Sequence, residues 1–281
     1  MVAAGLPYST GQIFDATDAN FCAGFGDGTD GAFNETASAT TDLVQGTVYQ
    51  YTSFALGADH TISAASASTK PIIILVSGDC TINGTIDLAG LGATTGYHSY
   101  FGSIGTNGGV QTNHGVGGLA GLPSWNFGQK GFIINGTKGG NGGGTGNYQS
   151  GAGGGGGASM SANGSDGASG GEDDTSGTPG TGGAGGCTIF IKVGGTLTFG
   201  ASSSIDCSGV NGTAASGGND GGGGGGGAGD VIIIHKGAKT DNGVTTDVTA
   251  GSGGAAAGSG GAGGAGGAGT ENILDWSAVL F

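Results

Sequence analysis

Three stretches of the chain share one pattern of apolar and polar positions. Each opens with a short run of β-branched or apolar residues, turns at Gly, continues with alternating apolar and polar residues, and ends at a small residue followed by Gly. These stretches are residues 71–90, residues 187–209, and residues 230–237 taken with 248–251. Short strands separated by turns at similar spacing indicate stacked rungs. We therefore predict an all-β protein built on parallel β-helix or solenoid-like rungs, with Gly-rich insertions packed as polyglycine or polyproline II helices.

The alternating positions predict which side chains face the core. Successive residues of a strand point to opposite faces of its sheet. The inward set comprises Ile82, Ile86 and Leu88 in the first stretch and Leu197, Phe199, Ile205 and Cys207 in the second. Thr81, Thr85 and Asp87 take the opposite face. Residues 48–56 and 60–63 are expected to form the preceding rung.

The apolar runs at 72–76 and 231–234 do not alternate, which predicts strands covered on both faces. Gly-rich tracts follow each stretch and suggest the cover: residues 139–186, 217–229 and 251–269. Flexible Gly linkers are the alternative. Because every tract returns to another apolar strand, we favour packed helices over long floppy loops.

The last tract repeats every three residues, as Gly-Gly-Ala. A polyproline II helix also has three residues per turn, at a rise of ~3.1 Å per residue. Ala262, Ala265 and Ala268 would then line one edge, while glycine occupies the other two. Neighbouring helices could approach on the glycine edges and exchange backbone hydrogen bonds.

Composition and charge narrow the class of protein. Glycine accounts for 74 of 281 residues, but with only 4 prolines and no strict Gly-X-Y period the chain is not collagen. Charged residues make up 9% of the chain, which argues against a highly charged disordered polypeptide. The net charge of −14 and the absence of Arg argue against nucleic-acid binding and against an anionic membrane surface. Membrane insertion is not expected either, since no apolar stretch approaches ~20 residues.

An aromatic-rich insertion, residues 97–135, interrupts the central domain. It is expected to form either a local plug against the β-stack or an exposed contact surface. The candidate receptor or partner contacts are Tyr97, Tyr100, Phe101, Trp125, Phe127 and Tyr148.

Two terminal segments flank the central domain, which spans 48–270. Residues 1–47 are predicted to be an attachment or capping segment. The apolar tail, residues 271–281, is expected to dock on its own domain or on a neighbouring subunit. Its candidate docking residues are Ile273, Leu274, Trp276, Leu280 and Phe281. Open solenoid ends need capping, so we expect a homo-oligomer.

Candidate chemistry is sparse. The four cysteines have no paired metal spacing and are interpreted as small buried residues, with a Cys187–Cys207 bridge as the alternative. Glycan hydrolysis would need two acids about 5 to 9.5 Å apart, and Asp87 and Asp206 occupy matching places in their stretches and could stack. Two acids in repeat-equivalent positions usually belong to the repeat. We therefore expect no enzymatic activity, no metal site and no cofactor.

Several motifs resemble a known group of proteins. Residues 26–34 (GDGTDGAFN), the GDCTINGTIDL rung at 78–88, and Gly-rich tracts re-entering apolar strands resemble Gly-rich virion and tail-fibre proteins of tailed bacteriophages. A looser similarity exists to tail-tip adhesins in which polyglycine helices present variable loops. The resemblance implies a non-enzymatic fibre, spike or decoration subunit that contacts other virion proteins and a host receptor, either a glycan or an outer-surface protein.

Location follows from the same resemblance. The N-terminus has neither a basic leader nor an apolar stretch of signal-peptide length, which fits a virion protein assembled in the host cytoplasm. An extracellular or cell-surface location is the alternative, as a subunit of a cellular filament or surface layer. Ice binding is a more remote possibility, because Gly-rich polyproline II bundles resemble one class of antifreeze protein.

Overall fold

A computed structural model describes residues 24–67, 70–92, 164, 167 and 177–276. Its regular elements are fifteen short strands in three parallel sheets of five strands each. The chain visits the three sheets in turn, so each circuit forms one rung of a three-sided solenoid. The predicted all-β parallel solenoid is confirmed.

The strands follow the chain in five rungs. The first rung is β1 Ala32–Glu35, β2 Ala39–Leu43 and β3 Val48–Tyr51; the second is β4 Ser53–Leu56, β5 His60–Ala64 and β6 Ile72–Val76; the third is β7 Cys80–Ile82, β8 Thr85–Asp87 and β9 Ile189–Val193; the fourth is β10 Leu197–Phe199, β11 Ser204–Asp206 and β12 Val231–His235; the fifth is β13 Lys239–Asp241, β14 Thr245–Asp247 and β15 Glu271–Asp275. The first strand of every rung belongs to sheet A, the second to sheet B and the third to sheet C. Stacked strands lie ~4.8 Å apart.

The core fills the inside of the solenoid with columns of apolar side chains. One column of sheet B runs through Ile62, Ile86 and Ile205, which pair in register and are fully buried. All seven side chains predicted to face inward are buried, at 0% exposure. The period-2 pattern therefore identified the core face correctly in both stretches.

The three central strands of sheet C, β6, β9 and β12, are buried on both faces, and for β6 and β12 the non-alternating runs predicted this. The outward residues of sheet C include Leu75 on β6 and Lys192 on β9. At these two residues the cover comes from outside the Gly-rich tracts. Gly26 lies against Leu75, since a Cβ on Gly26 would be 2.9 Å from that of Leu75, and the rings of Phe25 and Trp276 face the Lys192 ammonium. The expectation that the Gly tracts cover these strands is thus corrected at this position.

The first rung lies earlier in the chain than expected. The solenoid begins at Ala32, within the segment predicted for attachment or capping. The stretch predicted as a single preceding rung divides between two, since β3 closes the first rung whereas β4 and β5 belong to the second. These strands are only four or five residues long, and Thr52 alone separates β3 from β4. A pattern that short does not reveal the corner of the solenoid.

Candidate functional site

The Gly-rich insertions leave the solenoid at one corner. In the third, fourth and fifth rungs the long connection joins the sheet B strand to the sheet C strand. The described parts of these connections form a layered body that we call the glycine slab. Its segments are PG1 (177–187), PG2 (207–216), PG3 (220–230), PG4 (248–257) and PG5 (260–270), with residues 88–92, Gly164 and Gly167 alongside.

Hydrogen bonds between the slab segments recur at every third residue. PG1 donates to PG3 from Gly180, Gly183 and Gly186 to the carbonyls of Gly221, Gly224 and Gly227, at 2.8–3.0 Å. PG3 donates to PG5 from Gly222, Gly225 and Ala228 to Gly261, Gly264 and Gly267, each at 2.9 Å. This is the repeat of a helix with three residues per turn, the polyproline II geometry expected from the sequence. Glycine is therefore used here as ordered backbone rather than as linker.

The slab continues the β-ladders of the solenoid. PG3 runs directly into β12 and PG5 into β15, and the bond from Val231 to Thr270 joins the two ladders. PG2 and PG4 likewise follow β11 and β14, with Gly209 donating to Thr249. At ~3.1 Å per residue, segments of about ten residues extend the slab about 30 Å from the corner.

PG3 lies at the centre of the slab. It is buried throughout its length and contains seven consecutive glycines, residues 221–227. PG1, PG2, PG4 and PG5 all hydrogen-bond to it, and Gly164 and Gly167 pack against Gly227 and Gly224. A Cβ on Gly225 would overlap the Gly251 carbonyl oxygen, and one on Gly226 would overlap that of Ala184. At Gly225 and Gly226, in the middle of the helix, there is therefore room for glycine alone.

PG5 shows the predicted alanine edge. Ala262, Ala265 and Ala268 are exposed, whereas Gly261, Gly264 and Gly267 are buried. The alanines of the Gly-Gly-Ala repeat therefore indicate which side of the helix faces solvent.

Two hairpin turns meet at the far edge of the slab. PG2 turns into PG3 through Gly217 and Gly218, both with positive φ (77° and 54°), and PG4 turns into PG5 through Gly258 (φ 52°). The Ser259 amide donates to the side-chain oxygen of Asn219 at 2.9 Å, which ties the two turns together. The far edge is therefore a set of adjacent loops held by a rigid base.

A buried carboxylate marks the junction between slab and solenoid. Asp230 is fully buried, and its Oδ1 accepts hydrogen bonds from the Thr270 amide at 2.7 Å and the Thr270 hydroxyl at 3.0 Å. Its own amide donates to the Thr188 hydroxyl at 3.1 Å. Among the described residues Oδ2 has no hydrogen-bond partner. Burial raises the pKa of Asp230 to about 6, against the lowering effect of the Thr270 hydrogen bonds.

The predicted stacking of Asp87 and Asp206 is confirmed, and Asp247 extends the column to a third strand. Each Oδ1 accepts the backbone amide two residues further on, from Ala89, Ser208 and Thr249, at 2.8–3.3 Å. These turns form where the chain leaves sheet B for the slab. The position in the repeat thus gives the aspartates a structural role.

The cysteines within the described part of the chain are buried and form no disulfide: Cys80, Cys187 and Cys207. The alternative of a Cys187–Cys207 bridge is therefore not found. Burial raises the pKa of the Cys80 and Cys207 thiols. In the same described part, no group of three or more His, Cys, Asp or Glu side chains could hold a metal ion.

The predicted contact residues divide between described and undescribed parts. Tyr97, Tyr100, Phe101, Trp125, Phe127 and Tyr148 lie outside the described residues, as do Leu280 and Phe281. Of the tail residues, Ile273 packs against the core, Leu274 is half-buried on β15, and Trp276 packs edge-on against Phe25 at 5.2 Å between ring centroids. The tail therefore docks on its own domain as far as residue 276, and its role in an oligomer stays a prediction.

Sequence reasoning missed the cluster around Lys192. This side chain is 2% exposed, and its ammonium lies 4.5 Å from the Trp276 ring centroid and 4.9 Å from that of Phe25. The sequence signal that could have predicted this cluster is a lysine within an apolar strand that is buried on both faces, because a buried ammonium requires partners.

No protein-family model matches this chain, and neither a curated protein nor a solved structure does. Within the described residues, no helix is long and apolar enough to cross a membrane.

Proposed function

We propose that this protein is a non-enzymatic structural subunit of a virus particle, a fibre, spike or decoration protein whose slab presents loops for attachment to a host surface. The observation that carries the proposal is the meeting of the two slab turns, tied by Asn219 and Ser259, at an edge remote from the solenoid. Gly177, where PG1 begins, lies against Gly217 at the same edge. The loops rest on a lattice whose repeating hydrogen bonds run from backbone to backbone.

The charge of the chain supports a partner other than nucleic acid. A net charge of −14 keeps the chain soluble and disfavours nucleic acid as a partner. The partners proposed are other virion proteins, further copies of this chain, and a glycan or protein receptor on the host. The 97–135 insertion is proposed to supply the aromatic contacts to that receptor.

Binding to cells tests this proposal. Fluorescently labelled full-length protein should bind some members of a panel of bacterial species. Replacing residues 97–135 with a Gly-Ser linker of equal length should abolish binding without lowering the melting temperature. A matched control, Ser202→Ala, changes an exposed turn of the solenoid and should leave binding unchanged. Binding that survives the replacement would contradict the assignment of the insertion.

Gene order tests the particle assignment separately. Capsid, portal or tail genes beside this one are expected, whereas secretion or pilus genes would favour a subunit of a cellular filament or surface layer. Immunogold labelling of virus particles that carry this gene should then decorate an appendage or the capsid surface.

Ice binding is a second candidate because one observation favours it. Ala262, Ala265 and Ala268 are exposed at regular three-residue spacing, about 9 Å apart for a polyproline II helix. If ice is the ligand, the purified protein should show thermal hysteresis, and Ala265→Lys should abolish it. Absence of hysteresis in the unaltered protein would exclude this function.

A further inference from the structure

The slab has an outermost layer, and its sequence differs from that of the layers beneath it. In PG1 and PG3 the amides that donate to the next layer belong to Gly180 and Gly183, and to Gly222 and Gly225. These positions carry glycine for a steric reason. A Cβ on Gly222 would overlap the carbonyl oxygen of Gly254 in PG4, and one on Gly183 would overlap that of Val210 in PG2. In each case the clashing helix belongs to the following rung. A methyl group at this position is therefore incompatible with the helices of a further rung.

PG5 carries methyl groups at the equivalent position. Val231 pairs with Glu271 in the adjoining sheet, and this register places Ala262 and Ala265 where PG3 has Gly222 and Gly225. Both alanines are exposed. Ala228, beside β12, shows that a methyl group is accommodated next to the solenoid, so the steric argument applies to the outer two positions.

At the same rung, charged residues replace the apolar core positions of the solenoid. In sheet A one core column runs through Cys80 and Leu197 and reaches Lys239 in the fifth rung, where Lys239 pairs with Leu197. The neighbouring column reaches Asp241 after Phe199. Lys239 and Asp241 form an exposed ion pair at 3.4 Å. Charged residues at inward positions of an edge strand oppose pairing with another chain.

We propose that the fifth rung terminates the stacking: its side chains prevent a second copy of this chain from adding a layer to either the slab or the solenoid at this end. The methyl groups of Ala262 and Ala265 exclude a further glycine helix, and the charged Lys239–Asp241 pair opposes the pairing of a further strand on sheet A. Any oligomer of this chain then uses a different surface. The protein thereby keeps an ordered, repeating backbone lattice without growing into a fibre through it.

The test is to remove the methyl groups and measure self-association of the full chain by sedimentation velocity over a concentration series. Ala262→Gly with Ala265→Gly should associate at least about tenfold more tightly than the unaltered protein, a factor that corresponds to about 1.4 kcal/mol. The control is Ala214→Gly with Ala255→Gly. Ala214 is exposed although PG4 is stacked on PG2, so this equivalent pair faces sideways and should leave association unchanged.

Two results would overturn the proposal. One is a correctly folded double-glycine variant, judged by its circular dichroism spectrum, that associates no more than the unaltered protein. The other comes from Ala262→Lys, which adds a charge to the same face. This variant should leave any oligomer of the unaltered protein intact, and dissociation would show that the face is an interface after all.

Discussion

Thr270 donates two hydrogen bonds to one oxygen of the Asp230 carboxylate, at 2.7 Å from its amide and 3.0 Å from its hydroxyl. Thr270 begins the step from PG5 into β15, and Asp230 makes the same step from PG3 into β12. The contact therefore binds two layers together at the place where glycine helices become strands. It does so with a carboxyl group that is fully buried.

This carboxyl group predicts a specific pH dependence of stability. Because burial raises the pKa of Asp230 to about 6, the folded state favours the protonated form more than the unfolded state does. The contribution of Asp230 to the free energy of unfolding is therefore greatest below about pH 4 and declines by about 3 kcal/mol as pH rises through about 6. Asp230→Asn keeps an oxygen acceptor for Thr270 and should remove this decline in urea unfolding between pH 4 and pH 7.

The exposed Asp247 offers the matched control for that measurement. Asp247→Asn should leave the difference between pH 4 and pH 7 nearly unchanged. An Asp230→Asn variant with the pH profile of the unaltered protein would show that the buried carboxyl does not titrate as described.

Gly225→Ala should destabilise the slab. The added methyl group would overlap the Gly251 carbonyl oxygen, and backbone cannot move aside as a flexible side chain can. We expect a loss of about 3 kcal/mol, the upper end for overpacking, measured as a lower melting temperature. Ala214→Gly, the same one-methyl difference at an exposed position, should cost less than about 1 kcal/mol. Equal effects for the two variants would contradict a close-packed lattice.

Trp276→Ala should destabilise the protein by about 2 kcal/mol or more through Lys192, because it removes an aromatic ring that faces a buried ammonium. In a Lys192→Met background the same change should cost less, since the charge is gone. A double-mutant cycle of unfolding free energies measures this coupling. Equal costs in the two backgrounds would indicate that Trp276 contributes packing alone.

The three described thiols should resist modification in the folded protein. They are buried, and burial raises the pKa of Cys80 and Cys207, so little reactive thiolate forms near neutral pH. In a Cys22→Ser variant, a thiol reagent such as Ellman's reagent at pH 8 should react only after denaturation, with all three remaining cysteines. Rapid reaction of the folded variant would place a thiol at the surface.

Much of the architecture could be read from local patterns. Alternation identified the inward side chains of β7, β8, β10 and β11, and runs without alternation identified strands buried on both faces. The Gly-Gly-Ala order identified the exposed edge of PG5. These predictions succeeded because each depends on the geometry of one segment, two residues per repeat in a strand and three per turn in the helix.

Contacts between distant residues could not be read in this way. The number of helices around PG3 cannot be predicted from its sequence. The same holds for the residues that contact Asp230 and Lys192. Asp247 was likewise missed as the third member of its column, because strand register in this fold depends on turns and long insertions rather than on neighbouring residues.

By itself the sequence determined the repeat, the inward face of the strands and the use of glycine as backbone, since all three depend on short-range periodicity. The tertiary structure alone decided that the insertions meet at one corner, that PG3 is enclosed, and that the fifth rung ends the lattice. The physical reason is that a backbone hydrogen bond does not depend on the identity of the side chains. A glycine helix can therefore pair with any other, and the register of the solenoid strands determines which helices lie side by side.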